Sequence, residues 1–306
     1  MIVRNTPTVW QVFFVLRGSL VQQILPQITF VAGLSLLVVT LQRIGVTRVT
    51  QIPALALSVI GAALAIFAAF RNAAAYDRWW EARKLLGLIV IDARSLARQA
   101  LAYIATVPGD DVPRRIGLRC IAFAYVVRDF LRGQPIGDDT ARYLSPEEGA
   151  ALAISRNPPT RLLQYFSADV AAVLAAGRLS PQMAKTLEDR VQSMTMAFGS
   201  AERTKGTPMP FVYTLLIDRT AYLFCFLLPF GLADSSGWWT PLLAAIVSYA
   251  FFGLDAIGDE LSQPFSSSSN GMPLDALARV IEINVLESLG EKNLPEPLRP
   301  KDFLLT

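Results

Sequence analysis

The chain has 306 residues, 53% of them hydrophobic and 17% charged, with a mean hydropathy of +0.40, a balance too apolar for an ordinary soluble domain and typical of a membrane protein. The formal net charge is only +3 and the basic residues are dispersed rather than gathered into a stripe with aromatics, which argues against a nucleic-acid partner. Histidine is absent, and with it go the commonest general base and the usual transition-metal ligand, so no enzyme, cofactor or metal site is expected.

The first segment, 1–23, sets Trp10, Phe13, Phe14 and Leu16 among arginines, and no small-residue cleavage site follows Arg17. It is expected to lie along the membrane surface rather than to serve as a secretory signal. No charge then occurs until Arg43, and ITFVAGLSLLVVTL supplies the density of a bilayer-crossing helix, which needs about 20 apolar residues. That predicts a first span over 24–42. A second uncharged stretch from Val49 to Phe70, closed by Arg71, predicts span 2 and makes 24–71 a pair of transmembrane helices.

The segment 72–207 is helical by periodicity: Leu86, Ile89, Val90, Ala93, Leu96, Ala97, Ala100 and Leu101 recur at three- and four-residue steps. Cys120, Phe123, Ala124 and Val127 repeat the pattern, as do Leu162, Phe166, Val170 and Val173, then Met183, Leu187, Val191 and Met194. Turn signals at PGDDVP, RGQPIGDD, SRNPPT and GRLSP divide these runs into four or five helices.

Two further spans are predicted within 208–255. In the first of them Asp218 and Arg219 interrupt the apolar run, so either its opening turns stand outside the hydrocarbon or those charges face protein or water. The second is closed by Asp255, and 256–306 holds a polar loop, SQPFSSSSNGMP, then an amphipathic helix, LDALARVIEINVLESLG, ended by Gly290. Most Lys and Arg lie in the 72–207 segment and the termini, while the loop between the last two spans has none. The positive-inside rule therefore puts that segment and both ends in the cytoplasm, and the pairs Trp79–Trp80 and Trp238–Trp239 read as interfacial anchors. Cys120 and Cys225 fall in a soluble helix and a span respectively, so free buried thiols are expected rather than a disulfide.

On span 2, Ala62, Ile66 and Phe70 form one stripe at four-residue steps and Gly61, Ala65 and Ala69 the adjacent one. Small residues at that spacing suit close helix packing. Alternatively, several copies surround an axis and the Ala62, Ile66, Phe70 stripe lines an apolar constriction. After span 4, Asp255 and Asp259 share a helical face and Glu260 follows; they are read as solvated helix-end charges or as a charge lining at a pore mouth. No nucleotide, zinc or serine-nucleophile signature occurs.

RNAAAYDRWWEAR after span 2, PMPFVYT opening span 3 and DELSQPF closing span 4 stand in an order and spacing that resembles the bestrophin family, over nearly the whole chain. Arg78, Trp79 and Trp80, with Arg78 eight residues beyond Phe70, are the most specific element. The resemblance implies an all-α membrane protein of four transmembrane helices and a cytoplasmic helical domain, assembled as a homopentamer around one central pore. By position it makes Ala62, Ile66 and Phe70 the pore neck, with Ala62 smaller than the residue usual there, and puts Gln182 at a narrow cytoplasmic aperture. Animal relatives clasp calcium with an acidic run after Asn-Pro-Phe, where this chain has Ser266, Ser267, Ser268, Ser269 and Asn270. The short C-terminus resembles the bacterial branch and implies a bacterial inner membrane.

The expected function is a pentameric channel for monovalent ions, leaning to cations because acidic residues such as Asp255, Asp259 and Glu260 would multiply at its mouth. The alternatives are a chloride channel of the same architecture and a non-conducting, membrane-anchored scaffold or signalling protein. The partners expected are further copies of the chain, the lipid bilayer and the permeant ions.

Overall fold

The computed structural model describes residues 1–4, 10, 15, 18–45 and 52–306. The expected interfacial segment falls mostly outside these residues. Every regular element among them is helical, and β pairing is limited to isolated bridges. In chain order the α-helices are α1 (Val21–Arg43), α2 (Ala54–Tyr103), α3 (Val112–Arg132), α4 (Asp138–Ala141), α5 (Pro146–Ala153), α6 (Pro158–Ala175), α7 (Pro181–Gly206), α8 (Phe211–Ser236), α9 (Thr240–Ser262) and α10 (Leu274–Ser288). They fall into two compact units, one built from Arg4–Trp79 and Pro208–Pro264, the other from Met1–Val3, Trp80–Thr207 and Phe265–Thr306.

The first unit is apolar. Three helical stretches among the described residues are long and apolar enough to cross a membrane: Val21–Arg43, Ala54–Tyr103 and Phe211–Ser262. The last is divided by a 3-10 turn, Gly237–Trp239, where Gly237 takes φ +53, and its two halves α8 and α9 pack against each other. Helix α1 lies against α9 and α8 through Ile24, Val31 and Val38. Its buried Ser35 satisfies its hydroxyl on the Val31 carbonyl at 2.7 Å, so no polar atom of that side chain is left unpaired in an apolar setting.

Helix α2 differs from the expectation of a span ending at Arg71, for it continues unbroken to Tyr103. The reason is local: 71–86 contains neither proline nor glycine and is rich in alanine, arginine and other helix formers, so nothing stops propagation.

In the second unit, turn chemistry sets the helix boundaries. Asp111 caps α3 by accepting from the Arg114 amide at 3.1 Å, and Gly133 ends it with φ +69. Ser145 and Glu148 form a reciprocal capping box on α5. Asn157 and Ser180 cap α6 and α7, each followed by proline at the first helical position. These are the SRNPPT and GRLSP signals read from the sequence, acting as N-caps with a pre-set first φ. Helix α3 is central and packs on α6, α7 and α10. Phe123 meets Phe166 and Phe198 edge-on, with ring centroids 6.4 Å apart in both pairs, the arrangement that ring quadrupoles favour. The SQPFSSSSNGMP segment is more packed than its composition suggests, since Phe265 and Met272 are buried.

Buried charge in this unit is matched. Arg119 is held by Glu148 and Asp169, and Glu282 accepts from the hydroxyls of Tyr125 and Tyr143 while pairing with Arg279 at 2.9 Å. Burial, reinforced by the bond to Glu282, pushes Tyr143 up to about 12 and raises Tyr125 as well. Cys120 and Cys225 are both buried and free, as expected, and burial raises the Cys120 thiol far from thiolate chemistry.

Asp275, at the start of α10, receives Arg132 at 2.7 Å and Arg128 at 3.2 Å. Burial alone would raise its carboxyl, but the hydrogen bond and charge of Arg132, with the charge of Arg128, outweigh it and hold the group below the usual carboxylate range. A depressed folded-state pKa contributes stability above the unfolded value near 3.8, and that stability is lost as pH falls through the folded value. Asp275→Asn is therefore expected to lower stability at neutral pH by about 1 kcal/mol after allowance for solvent screening. The deficit should shrink in acid melts below about pH 4; an equal loss at every pH would detach the effect from this carboxylate.

Candidate functional site

Helix α2 has one face turned into its unit and another left open. Leu57, Leu64, Ala68, Arg71 and Ala75 are buried, at steps of seven, four, three and four residues that keep to one helix face. Ile66 stands two residues from both Leu64 and Ala68, about 200° around the helix from each, and so points away from the packed face. Ala62, Ile66 and Phe70 are all exposed in the single chain, Ile66 at 56% and Phe70 at 65%. The small-residue stripe is only partly used for packing: Gly61 seats the Phe224 ring, whose Cζ would lie 2.9 Å from an added Cβ, while Ala65 and Ala69 are exposed.

One residue beyond Phe70 the environment inverts. Arg71 is 2% exposed, and its guanidinium hydrogen-bonds Asp255 and Asp259 of α9, with Asp218 of α8 at 3.5 Å. Asp255 and Asp259 are one turn apart, so their carboxylates converge on the two terminal nitrogens of the same side chain. Gly258 lets α9 come close enough for this, because a Cβ there would lie 2.5 Å from Asn72 Oδ1 and 3.5 Å from Arg71 Cζ. The cluster ties three helices together next to the exposed stripe.

The motifs singled out in the sequence meet at the same end of this unit. Arg78 Nε donates to the Ser262 carbonyl at 2.8 Å, satisfying one of the carbonyls that a helix end leaves open and joining RNAAAYDRWWEAR to DELSQPF. Tyr213 of PMPFVYT packs against the apolar core that contains Leu57 and Leu64.

The acidic residues read as a possible lining are engaged within the chain: Asp255 and Asp259 on Arg71, and Glu260 with Gln23 Nε2 at 3.4 Å. In the other unit, Gln182 is exposed in the first turn of α7, just after the Ser180 cap. Sequence reasoning treated Arg71 only as the charge closing span 2. The signal that could have found it was the i, i+4 pair Asp255 and Asp259 beside an interrupting Asp218, an excess of acid in apolar helices that calls for a cation.

Removing the cation should cost far more than removing the whole cluster. Arg71→Met is expected to destabilise the detergent-solubilised protein by about 3–5 kcal/mol, because carboxylates remain facing one another without a counter-charge. The triple variant Arg71→Met, Asp255→Asn, Asp259→Asn should melt at a higher temperature than Arg71→Met alone. A triple variant that melts lower would show that the carboxylates have other partners.

A family profile described as Bacterial/Fungal Bestrophin protein matches residues 1–287. A voltage-dependent anion channel-forming protein of Mesorhizobium japonicum is 41% identical over 299 residues, covering 95% of this chain and 93% of the relative. A protein of the same description from Salmonella typhimurium is 34% identical over 311 residues, with 100% of both chains covered. Among solved structures, a bacterial bestrophin homolog from Klebsiella pneumoniae superposes with a TM-score of 0.83 at 31% identity, covering 88% of this chain and 100% of that one.

Proposed function

The chain belongs to the bacterial and fungal bestrophin family, and from that premise we propose that it is one subunit of a homopentameric ion channel. In this reading Ala62, Ile66 and Phe70 line the membrane neck and the chain is no enzyme. The observation that carries it is the open face of α2: an apolar row directed away from the unit's own core. Five copies of such a row around an axis give a weakly wetted constriction that gates ions by its dryness. The arrangement uses four membrane-crossing helices, α1, the first part of α2, α8 and α9, in a bacterial inner membrane. The 72–207 segment and both termini are cytoplasmic, and Gln182 stands at a second, cytoplasmic aperture.

The sign of the permeant ion is read as anionic, because the relatives are described as anion channel-forming and because the carboxylates that favoured a cation are taken up by Arg71. A cation reading retains one observation: Asp218, Asp255 and Asp259 outnumber the single guanidinium they surround, leaving each copy with net negative charge near the neck.

Purified protein in planar bilayers is expected to pass current, and under asymmetric NaCl its reversal potential should move toward the chloride equilibrium value. A shift toward the sodium value would make the channel cationic, and no flux at all would leave the membrane scaffold. Ile66→Ala with Phe70→Ala is expected to raise the open fraction or conductance about tenfold or more, since the dry barrier is removed. Currents identical to those of the unaltered protein would take α2 out of the pore lining.

A further inference from the structure

A polar cavity of about 430 Å³ lies in the second unit, between α2 and the last turn of α10. One wall carries Arg94, Ser95 and Arg98, and the other Asn284, Glu287 and Ser288. Arg94 and Arg98 are four residues apart, so they project from the same helix face with Cβ atoms about 6 Å apart. Both are exposed, and neither has a carboxylate partner among the described residues. Their neighbours in the same unit are otherwise: Arg114, Arg119, Arg132 and Arg178 are each tied to an acid. Glu287 on the opposite wall is likewise without a cation among the described residues. Ser288 donates to the Asn284 carbonyl at 2.7 Å, which keeps its oxygen available as an acceptor beside Glu287.

The two walls thus differ in character. Paired guanidinia offer a planar array of donors that matches a phosphoryl or carboxylate group. The facing wall offers a carboxylate and the carbonyl end of a helix, where positive charge is favoured. A simple anion would satisfy the first wall and be repelled by the second. A volume of this size accommodates a small organic molecule, and the charge pattern selects one with an anionic and a cationic end.

We propose that this cavity binds a small zwitterionic phosphomonoester, its phosphoryl group on Arg94 and Arg98 and its ammonium on Glu287. Free phosphoethanolamine is the simplest compound of this kind. The site is separate from the neck residues and its occupancy does not depend on ion conduction.

Isothermal titration of the full chain in detergent with phosphoethanolamine and with inorganic phosphate tests it. Phosphoethanolamine is expected to bind more tightly than phosphate. Arg94→Gln with Arg98→Gln should weaken both by about tenfold or more, the loss expected when charge-assisted hydrogen bonds are removed. Glu287→Gln should weaken phosphoethanolamine alone and so erase its advantage. All these side chains are at the surface, and a melting curve equal to that of the unaltered protein confirms that each variant is folded. No binding to the unaltered protein, binding untouched by the arginine substitutions, or a Glu287→Gln variant that keeps the preference for phosphoethanolamine would each overturn the proposal.

Discussion

The burial of Arg71 among carboxylates from two other helices is the constraint from which the rest of the apolar unit follows. A guanidinium that is 2% exposed in such a setting must be paired, since a lone buried charge costs several kcal/mol. Asp255 and Asp259 meet that demand from α9, and Asp218 adds charge from α8. The pairing fixes how α2 is rotated about its own axis. With Arg71, Ala68, Leu64 and Leu57 turned inward, Ile66 and Phe70 have no choice but to face out. The ion cluster and the exposed apolar stripe are two consequences of one helical phase.

The close approach that makes the cluster possible depends on a glycine. Gly258 sits against Asn72 and Arg71 so tightly that a methyl group there would collide with the Asn72 amide oxygen. That contact is a side-chain oxygen and not backbone, so a larger residue at 258 would fit only if the Asn72 amide turned away. Close packing and electrostatics reinforce each other at this point, which is the usual way a polar group is accommodated within an apolar bundle.

Much of this was legible in the sequence because the signals were local. Uncharged runs marked the apolar helices, and proline with a preceding Asn or Ser marked the starts of α6 and α7 through capping chemistry. The four-residue repeat Ala62, Ile66, Phe70 identified a stripe that the structure leaves open. What escaped were features that need two distant segments at once. Arg71 looked like a boundary charge because its partners lie 147 to 188 positions later. The continuity of α2 past Arg71 was missed for a related reason: hydropathy changes there, but helix propensity does not, and helix length follows propensity and the absence of breakers rather than the polarity of the surroundings.

The second unit is organised by the same rule. Its interior arginines are matched residue by residue, Arg119 with Glu148 and Asp169, Arg132 with Asp275, and its buried carboxylate Glu282 is satisfied by two tyrosine hydroxyls and Arg279. Such matching is what makes a mismatch informative. Where Arg94 and Arg98 face Glu287 across open space, the charges are complementary but the walls stand apart, so the cavity keeps both signs available instead of closing into one more ion pair. Collapse would require α10 to approach α2, yet α10 is held on α3 by Val285 and Leu289 against Gly117, where an added Cβ would already come within 3.3 Å of Leu289. Val285 packs on Gly117 and also lines the cavity, so the wall that carries Glu287 is anchored to the core.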